Sequence, residues 1–377
     1  MKEKQHSILA LVPYNFLPAF NGGQRDIYHL LSGINNQIGI ACLCLRNEQI
    51  EELNFKLLPE LPNSKWRYIN PFFIFELRKK LKENDADVLF IFHPFLAWQA
   101  VILKMFFDFK LIVRSQNIEY QRFKSFGKWY WSVIRILERW VHRKADLNLF
   151  ISEEDTHYAI NEMKVAQEKA MFVPYGVPQK ELIDAKEIAL NEKFVKDKHS
   201  INKDDKIVLF NGTLNYLPNE NAVIEIIEKI NPMLQEHFQN VQFVICGKGL
   251  SDELVRRIEE SSNIIYTGFV DDIDVYFKAC EILINPVIEG GGVKTKLVEA
   301  LGFGKAVISY SSGSYGVDPG ICNGRLHIVE DNDSEAMVEI CKELLLKKFE
   351  DDNAAFYKIH FWGNIGNVVA QKILSGL

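Results

Sequence analysis

The stretch Ile284-Asn285-Pro286-Val287-Ile288-Glu289-Gly290-Gly291-Gly292-Val293-Lys294-Thr295-Lys296-Leu297-Val298-Glu299-Ala300 decides how this chain is read. It runs from an apolar strand end through three consecutive glycines into a helix start, with Lys294 and Lys296 at the turn and Glu299 further along. Glycine backbone has no Cβ to keep a ligand away, and a helix start presents unpaired N–H groups carrying partial positive charge. Two lysines added to such a start make a place for an anion, in particular a phosphate or diphosphate. A cation at that end is unfavourable unless an anion is present, which argues against two merely solvated lysines. For Glu299 the plain alternative is a pairing with Lys296 along the helix.

Outward from this stretch, strand–loop–helix units recur. In the second half the strand-like runs 207–210, 241–246, 263–266, 282–284 and 306–309 nearly all end in glycine or a small polar residue, as in Gly212-Thr213, Gly247-Lys248-Gly249 and Gly268-Phe269-Val270. In the first half the run 7–12 leads through Asn21-Gly22-Gly23 into a helical pattern over 24–35, and further strand candidates are 38–45, 88–92, 111–113, 147–151 and 171–173. Helical patterns fall at 76–83, 95–107 and 130–143. Alternation of this kind gives parallel sheets covered on both faces, with ligands at the carboxyl ends of the strands. The polar segment 177–205 has no strand-like run and is the expected linker, so the chain divides into domains at 1–178 and 179–354, with a C-terminal helix at 355–377 packing back on the first.

The bulk numbers agree with a two-domain globular protein: 377 residues, 47% hydrophobic, 25% charged. A formal charge of −6 argues against a general nucleic-acid binder. Six scattered cysteines with no CxxC spacing read as buried reduced thiols, and the expectation is a cytoplasmic protein. The polar residues 1–7 and the short apolar run that stops at Pro13 do not make a signal peptide, and the apolar region 95–107, broken by Gln99 and Lys104, does not make a membrane span. Residues 122–144 carry seven Arg/Lys against one acid, Glu138, interleaved with Phe123, Phe126, Trp129, Tyr130, Trp131 and Trp140. Two readings stand: a peripheral contact with an anionic membrane at its inner face, or an amphipathic helix whose aromatics pack into their own domain. His93, Asn117 and Glu119 follow strand candidates at their carboxyl ends, where site residues project. The Asp85/Asp87 and Asp272/Asp274 pairs have metal-ligand spacing, but the first precedes its strand and the second enters a helix, so no metal is expected.

Several runs also resemble a known family, the family-four retaining glycosyltransferases of the GT-B class. They are Phe210-Asn-Gly-Thr-Leu-Asn-Tyr-Leu-Pro-Asn219, Tyr266-Thr-Gly-Phe-Val-Asp271 and above all Gly290-Gly-Gly-Val-Lys-Thr-Lys-Leu-Val-Glu-Ala-Leu-Gly-Phe-Gly-Lys-Ala-Val307. Arg114-Ser-Gln-Asn-Ile-Glu-Tyr-Gln-Arg122 and Val173-Pro-Tyr-Gly-Val177 match more loosely. The resemblance implies an α/β, GT-B architecture: two Rossmann-like doubly wound domains facing a central cleft, with an N-terminal acceptor domain and a C-terminal donor domain. It implies transfer of a sugar, with retention, from a nucleotide-diphosphate donor to a glycan or lipid-linked acceptor, with no cofactor or metal. Lys294 and Lys296 then hold the donor diphosphate, Glu299 the ribose, and Gly212, Thr213, Gly247, Val270, Gly291 and Gly292 line the donor site together with Gly22 and Gly23 of the first domain. His93 joins the lysines as a catalytic candidate, and Asn117 and Glu119 fall on the acceptor side. Gln116 stands where related sequences often carry histidine, and Glu289 is displaced from the family's usual first glutamate. Those departures leave open two alternatives, a non-catalytic nucleotide-sugar-binding subunit and a GT-B nucleotide-sugar epimerase.

Overall fold

The computed structural model describes residues 6–49, 52–347, 349 and 352–376; the first five of the N-terminal residues read above lie outside that range. The chain divides into two compact units, one built from Met1–Pro178 and Phe361–Leu377 and the other from Gln179–His360.

In the first unit, largely apolar runs of three to seven residues form a parallel sheet. Its strands are β1 (Ser7–Leu11), β2 (Gly39–Leu45), β3 (Lys56–Leu61), β4 (Val88–Phe92), β5 (Lys110–Ser115), β6 (Leu147–Phe150) and β7 (Ala170–Phe172), in the order β3-β2-β1-β4-β5-β6-β7. In the second unit β8 (Lys206–Asn211), β9 (Val241–Cys246), β10 (Ile264–Gly268), β11 (Ile282–Asn285), β12 (Ala306–Tyr310) and β13 (Leu326–Val329) run in the order β10-β9-β8-β11-β12-β13. Both sheets reverse direction of strand addition once, between β1 and β4 and between β8 and β11, which is the doubly wound arrangement. The central strands are buried on both faces, so they read as continuous apolar runs such as Val88–Phe92, with every residue buried.

Three elements differ from the sequence reading. β3 and β13 are edge strands that the apolar pattern does not reveal, and Pro59 inside β3 is tolerated because an edge strand has one unpaired side. The expected linker contains a helix, Ala185–His199, capped by Asp184 and held in the second unit by Lys278–Glu187 at 2.7 Å and His199–Tyr276 at 2.9 Å. The tail divides at Phe361: helix Ala354–His360 belongs to the second unit and helix Trp362–Leu374 to the first.

Helix Trp362–Leu374 lies against helix Gly22–Asn35 at a pair of glycines. A Cβ on Gly366 would sit 2.5 Å from the Gly33 carbonyl carbon, so neither helix carries a side chain there. His29 stacks on Trp362 nearby, at 5.7 Å between ring centroids. The same tail returns to the chain's exit point, where Val177 pairs with Phe361 and the Trp362 N–H donates to the Val177 carbonyl at 3.0 Å. All six cysteines are buried and unpaired. Among the described residues no helix is long and apolar enough to cross a membrane.

Candidate active site

The carboxyl ends of β8 and β11, neighbours at the switch point of the second sheet, carry one candidate site within the second unit. β11 ends at Asn285, whose amide donates to Ser309 Oγ and the Gly313 carbonyl at 2.9 and 3.2 Å. The glycine loop follows, with Gly290 and Gly292 at φ of +94° and +76°, backbone that side chains rarely adopt. A Cβ on Gly290 would also strike the Tyr216 hydroxyl, whereas Gly291 has open space around it. Helix Thr295–Gly302 then begins with Lys294 at its cap position and no side chain capping it. Both lysines therefore stand at the end of a helix that favours anions.

Their surroundings differ. Lys294 Nζ folds back on the Gly290 carbonyl, and burial pulls its pKa down to about 8. Lys296 is 8% exposed, lies 4.0 Å over the Phe210 ring and donates to the Asn211 carbonyl at 3.0 Å. Burial first, and then the charge of Lys294, hold its pKa well below that of an ordinary lysine. Burial disfavours the charged form of both neighbouring lysines, one of them packed on an aromatic ring, and an anion bound beside them would favour it again.

The sheet brings several other predicted residues to Lys296. Asn219 places Oδ1 3.5 Å from Lys296 Nζ and donates through Nδ2 to the Thr213 carbonyl at 3.0 Å, while a Cβ on Gly212 would meet that amide at 2.8 Å. Gly212 and Thr213 thus present backbone beside Lys296. Gly247, at the end of β9, has a structural reason to lack a side chain: its φ is +146° and a Cβ would lie 1.9 Å from the Gly212 carbonyl oxygen. Val270 follows β10, two strands further along the same edge. Glu299 lies within helix Thr295–Gly302, 8% exposed. Phe210, Tyr216 and Asn219 belong to the run quoted for the family resemblance, but only the folded register sets them against the lysines and the loop.

A second candidate site, within the first unit, lies at the switch point of its sheet. Asn21 caps helix Gly22–Asn35 in a capping box with Gln24, which fixes Gly22 and Gly23 at the carboxyl edge of β1. His93 directly follows β4 with a positive φ (+65°) and is 4% exposed. Its Nδ1 meets Glu119 Oε1 at 2.9 Å and its Nε2 meets the Tyr14 hydroxyl at 2.9 Å. Glu119, read as an acceptor contact, is fully buried, and its carboxylate is occupied with His93 and, at 3.6 Å, with Arg122. Burial alone would raise its pKa, but the His93 hydrogen bond, the His93 charge and Arg122 together hold it below the usual carboxylate range. Asn117 is half-buried, its carbonyl accepting from Ser115 Oγ at 2.7 Å.

Tyr14, which the sequence did not mark, therefore stands between His93 and solvent. It also donates to Gln116 Oε1 at 3.2 Å. Gln116 Nε2 in turn donates to Asp26 Oδ2 at 2.8 Å and to the Gly23 carbonyl at 3.0 Å. Asp26 is held by the buried Arg114 through a two-pronged pair of 2.5 and 3.1 Å.

The carboxylate pairs weighed for metal binding have other work. Asp272 caps helix Ile273–Ala279, and Asp87 accepts from the Ser7 N–H at 3.0 Å. The aromatic and apolar residues of the basic segment divide between core and surface. Trp140 packs on the core, while Trp129 is 85% and Ile136 71% exposed. Its single acid, Glu138, points inward and accepts from the Glu119 and Tyr120 N–H groups at 2.8 and 2.9 Å.

Comparison with known proteins follows this division. Residues 20–181 match the family described as Glycosyltransferase Family 4, and residues 205–347 match glycosyl transferases group 1. An uncharacterized 44.6 kDa protein in the cps region of Klebsiella pneumoniae is 26% identical over 189 residues, covering 46% of this chain and 43% of that protein. The match therefore spans less than half the length of that curated relative. Among solved structures, the sucrose-phosphate synthase of Thermosynechococcus elongatus superposes with a TM-score of 0.74 at 15% identity, covering 99% of this chain and 100% of that one. Anabaena Alr3699/HepE, solved in complex with UDP and glucose, gives 0.72 at 14% identity, covering 99% and 100%. At such identities the likeness shows the fold, which is GT-B. With one family match to each half, the chain belongs to the group 1 glycosyltransferases of family four.

Proposed function

We propose that the protein is a retaining glycosyltransferase that moves a sugar from a nucleotide-diphosphate donor to a glycan or lipid-linked acceptor in polysaccharide or glycoconjugate synthesis. The observation that carries this reading is Lys296, a buried lysine on the Asn211 carbonyl at the switch point, beside Lys294 at the end of the glycine loop. When the bond from sugar to diphosphate breaks, negative charge grows on the leaving group. Preorganised ammonium groups and helix N–H donors stabilise that charge in the transition state more than in the ground state. In this reading they do what a divalent ion does in other transferases, and no metal is required. The departing phosphate oxygen takes the acceptor's proton on the same face, so no protein nucleophile is needed. Glu299 is assigned to the ribose and the backbone near Val270 to the base.

A panel of nucleotide-diphosphate sugars tests this, beginning with UDP-glucose because the Anabaena neighbour was solved with UDP and glucose. Nucleoside diphosphate released only when acceptor is present is the expected result. Binding of donor without turnover by any member would make the protein a non-catalytic binding subunit, and an isomerised donor would make it an epimerase.

The acceptor is read as reaching the protein at an anionic membrane surface. The support is the exposed Trp129, Val133 and Ile136 flanked by Lys124, Lys128 and Arg135, on a segment whose only acid is turned inward. Apolar side chains at an interface and cations near anionic headgroups add their contributions, so neither lipid feature alone suffices. The protein is expected to float with vesicles containing phosphatidylglycerol and to stay behind with phosphatidylcholine alone. A Trp129→Glu, Ile136→Glu double variant should lose flotation yet turn over a water-soluble acceptor normally. Failure of the unaltered protein to float with the anionic vesicles would remove the membrane from the proposal.

A further inference from the structure

A row of aromatic rings crosses the first unit from its candidate site to its surface. It begins with Tyr14 and His93, 5.4 Å apart between ring centroids, beyond the carboxyl ends of β1 and β4. His93 stacks on Phe95 at 5.8 Å with the ring planes 16° apart, and Phe95 meets Phe123 edge-on at 6.0 Å. Phe123 lies 5.5 Å from Tyr130, and Tyr130 lies 5.6 Å from Trp129. The rings come from the loop after β1, the turn after β4, helix Glu119–Ser125 and the loop before helix Trp131–Lys144, so tertiary packing and not local sequence makes the row. Aromatic contacts of this spacing are commonplace inside cores, where the rings are sealed from water. Here Tyr14, Phe95, Phe123 and Tyr130 are only half-buried, and Trp129 is exposed. The row is a strip of wet apolar surface, which costs free energy until something covers it.

The polar groups along the row change in a fixed order. At its inner end stand the Tyr14 hydroxyl and the Gln116 amide, beside the Gly22-Gly23 turn. At the Phe123 step stands Arg122, its guanidinium 6.0 Å from that ring and its side chain 42% exposed. Its contact with Glu119 is 3.6 Å, beyond hydrogen-bonding distance, and its Nε has no hydrogen-bond partner among the described residues. A guanidinium with unspent donors suits phosphate, which it grips through paired N–H groups. At the outer end Trp129 precedes the helix that carries the exposed Val133 and Ile136. Hydroxyl-binding groups, then a cation, then apolar rings is the order of parts in an amphiphile whose sugar is joined through phosphate to a hydrocarbon chain. We propose that the row seats one such lipid-linked sugar phosphate, with the sugar at Tyr14 and His93, the phosphate on Arg122 and the chain on Tyr130 and Trp129. This differs from adsorption to a bilayer, because the row leads a single molecule inward from Trp129 to the end of β4.

The sugar end rests on the proposed transferase reading; the seats for phosphate and chain do not. Calorimetry of the full-length protein with dodecyl phosphate, kept below its micelle concentration, tests those seats without turnover. Lys294 and Lys296 also attract phosphate, so the binding counted is the part that Arg122→Met removes. That part should be at least about tenfold tighter than binding of dodecyl maltoside or inorganic phosphate, the worth of one charge-assisted hydrogen bond. Equal affinity for dodecyl maltoside would leave an apolar strip without a phosphate seat, and equal affinity for inorganic phosphate an ionic patch without a chain. Tighter binding of maltohexaose would make the row a track for bare glycan, and each of these results, like binding indifferent to Arg122→Met, overturns the proposal. Phe123→Ser should weaken dodecyl phosphate binding about tenfold, the worth of burying one ring. Should that variant not fold, the exposed Trp129→Ala carries the same expectation. Phe106→Ser, which removes an exposed ring beyond the far end of helix Ala97–Lys104 from Phe95, should bind as the unaltered protein does; a matching loss there would refute the row. In transfer assays with sugars linked through phosphate to alkyl chains, acceptor KM should fall as the chain lengthens, and KM indifferent to chain length would refute the chain seat. Dodecyl phosphate bound as expected, with no transfer to any acceptor, would instead count against the proposed function.

Discussion

Transfer by Lys296→Met protein is expected to fall by at least about a hundredfold, the loss that follows removal of one preorganised charge donor from a developing anion. Methionine is nearly isosteric, so the packing over Phe210 survives and the loss belongs to the charge. The fold should not suffer. A buried lysine with a lowered pKa is a burden on the folded state, because the unfolded chain binds its proton more tightly. That burden is fully present below the folded pKa and is relieved as pH rises toward the ordinary lysine value near 10.4. The variant should therefore melt at the same temperature as the unaltered protein or higher at pH 7. Diphosphate binding should reverse the effect of burial by drawing protons onto the lysines. With Lys294 near 8, nucleoside diphosphate affinity should weaken as pH rises through that value. Calorimetry in buffers of different ionisation enthalpy should show proton uptake on binding at pH 8, smaller in Lys296→Met. Near-normal transfer by a folded variant would sink the diphosphate assignment.

Gly366→Ala is the change expected to harm stability most for its size. In a helix interior this substitution ordinarily stabilises by roughly 0.5–1 kcal/mol, since alanine is the better helix former. Here the added methyl would lie 2.5 Å from Gly33 backbone, and backbone does not move aside as a long side chain can. Overpacking of this sort costs about 1–3 kcal/mol, so the net sign turns against alanine. Hydrogen exchange in helix Trp362–Leu374 should accelerate, and Gly366→Leu should release that helix to proteolysis while the second unit keeps its protection. Stabilisation by Gly366→Ala would show that the two helices do not approach as described.

The central strands and the glycine loop were legible in the sequence because each depends on local composition. Val88–Phe92 is apolar throughout, and Gly290-Gly291-Gly292 before two lysines announces a turn into a helix. β3 and β13 were not, since half-exposed edge strands lose the apolar signature and Pro59 argues against a strand locally. Helix Ala185–His199 buries only Val195 and Lys196, so its sequence has the composition of a linker, and its packing on Tyr276 and Lys278 decides its place. The candidate site divides in the same way. Lys294 and Lys296 could be named from their neighbours in sequence, but Tyr14 lies 79 positions from His93 and no local pattern joins them. On helix Trp131–Lys144 one face, with Leu137, Trp140 and Val141, packs on the core while Val133 and Ile136 lie exposed on another, a division that composition alone does not assign.

The pairing of Val177 with Phe361 means that the chain leaves the first unit and re-enters it at one spot. The second unit is thus a guest spliced into its host, and the host is unfinished until the guest has been synthesised. During translation the glycine face of helix Gly22–Asn35 must wait uncovered while everything from Gln179 to His360 emerges. A guest that folds first brings its two ends together, so the host's last helix is delivered to its groove as a nearby segment instead of the far end of a long loose loop. Assembly then has an order written into connectivity: lysine-bearing unit first, and the closing helix of the histidine-bearing unit last.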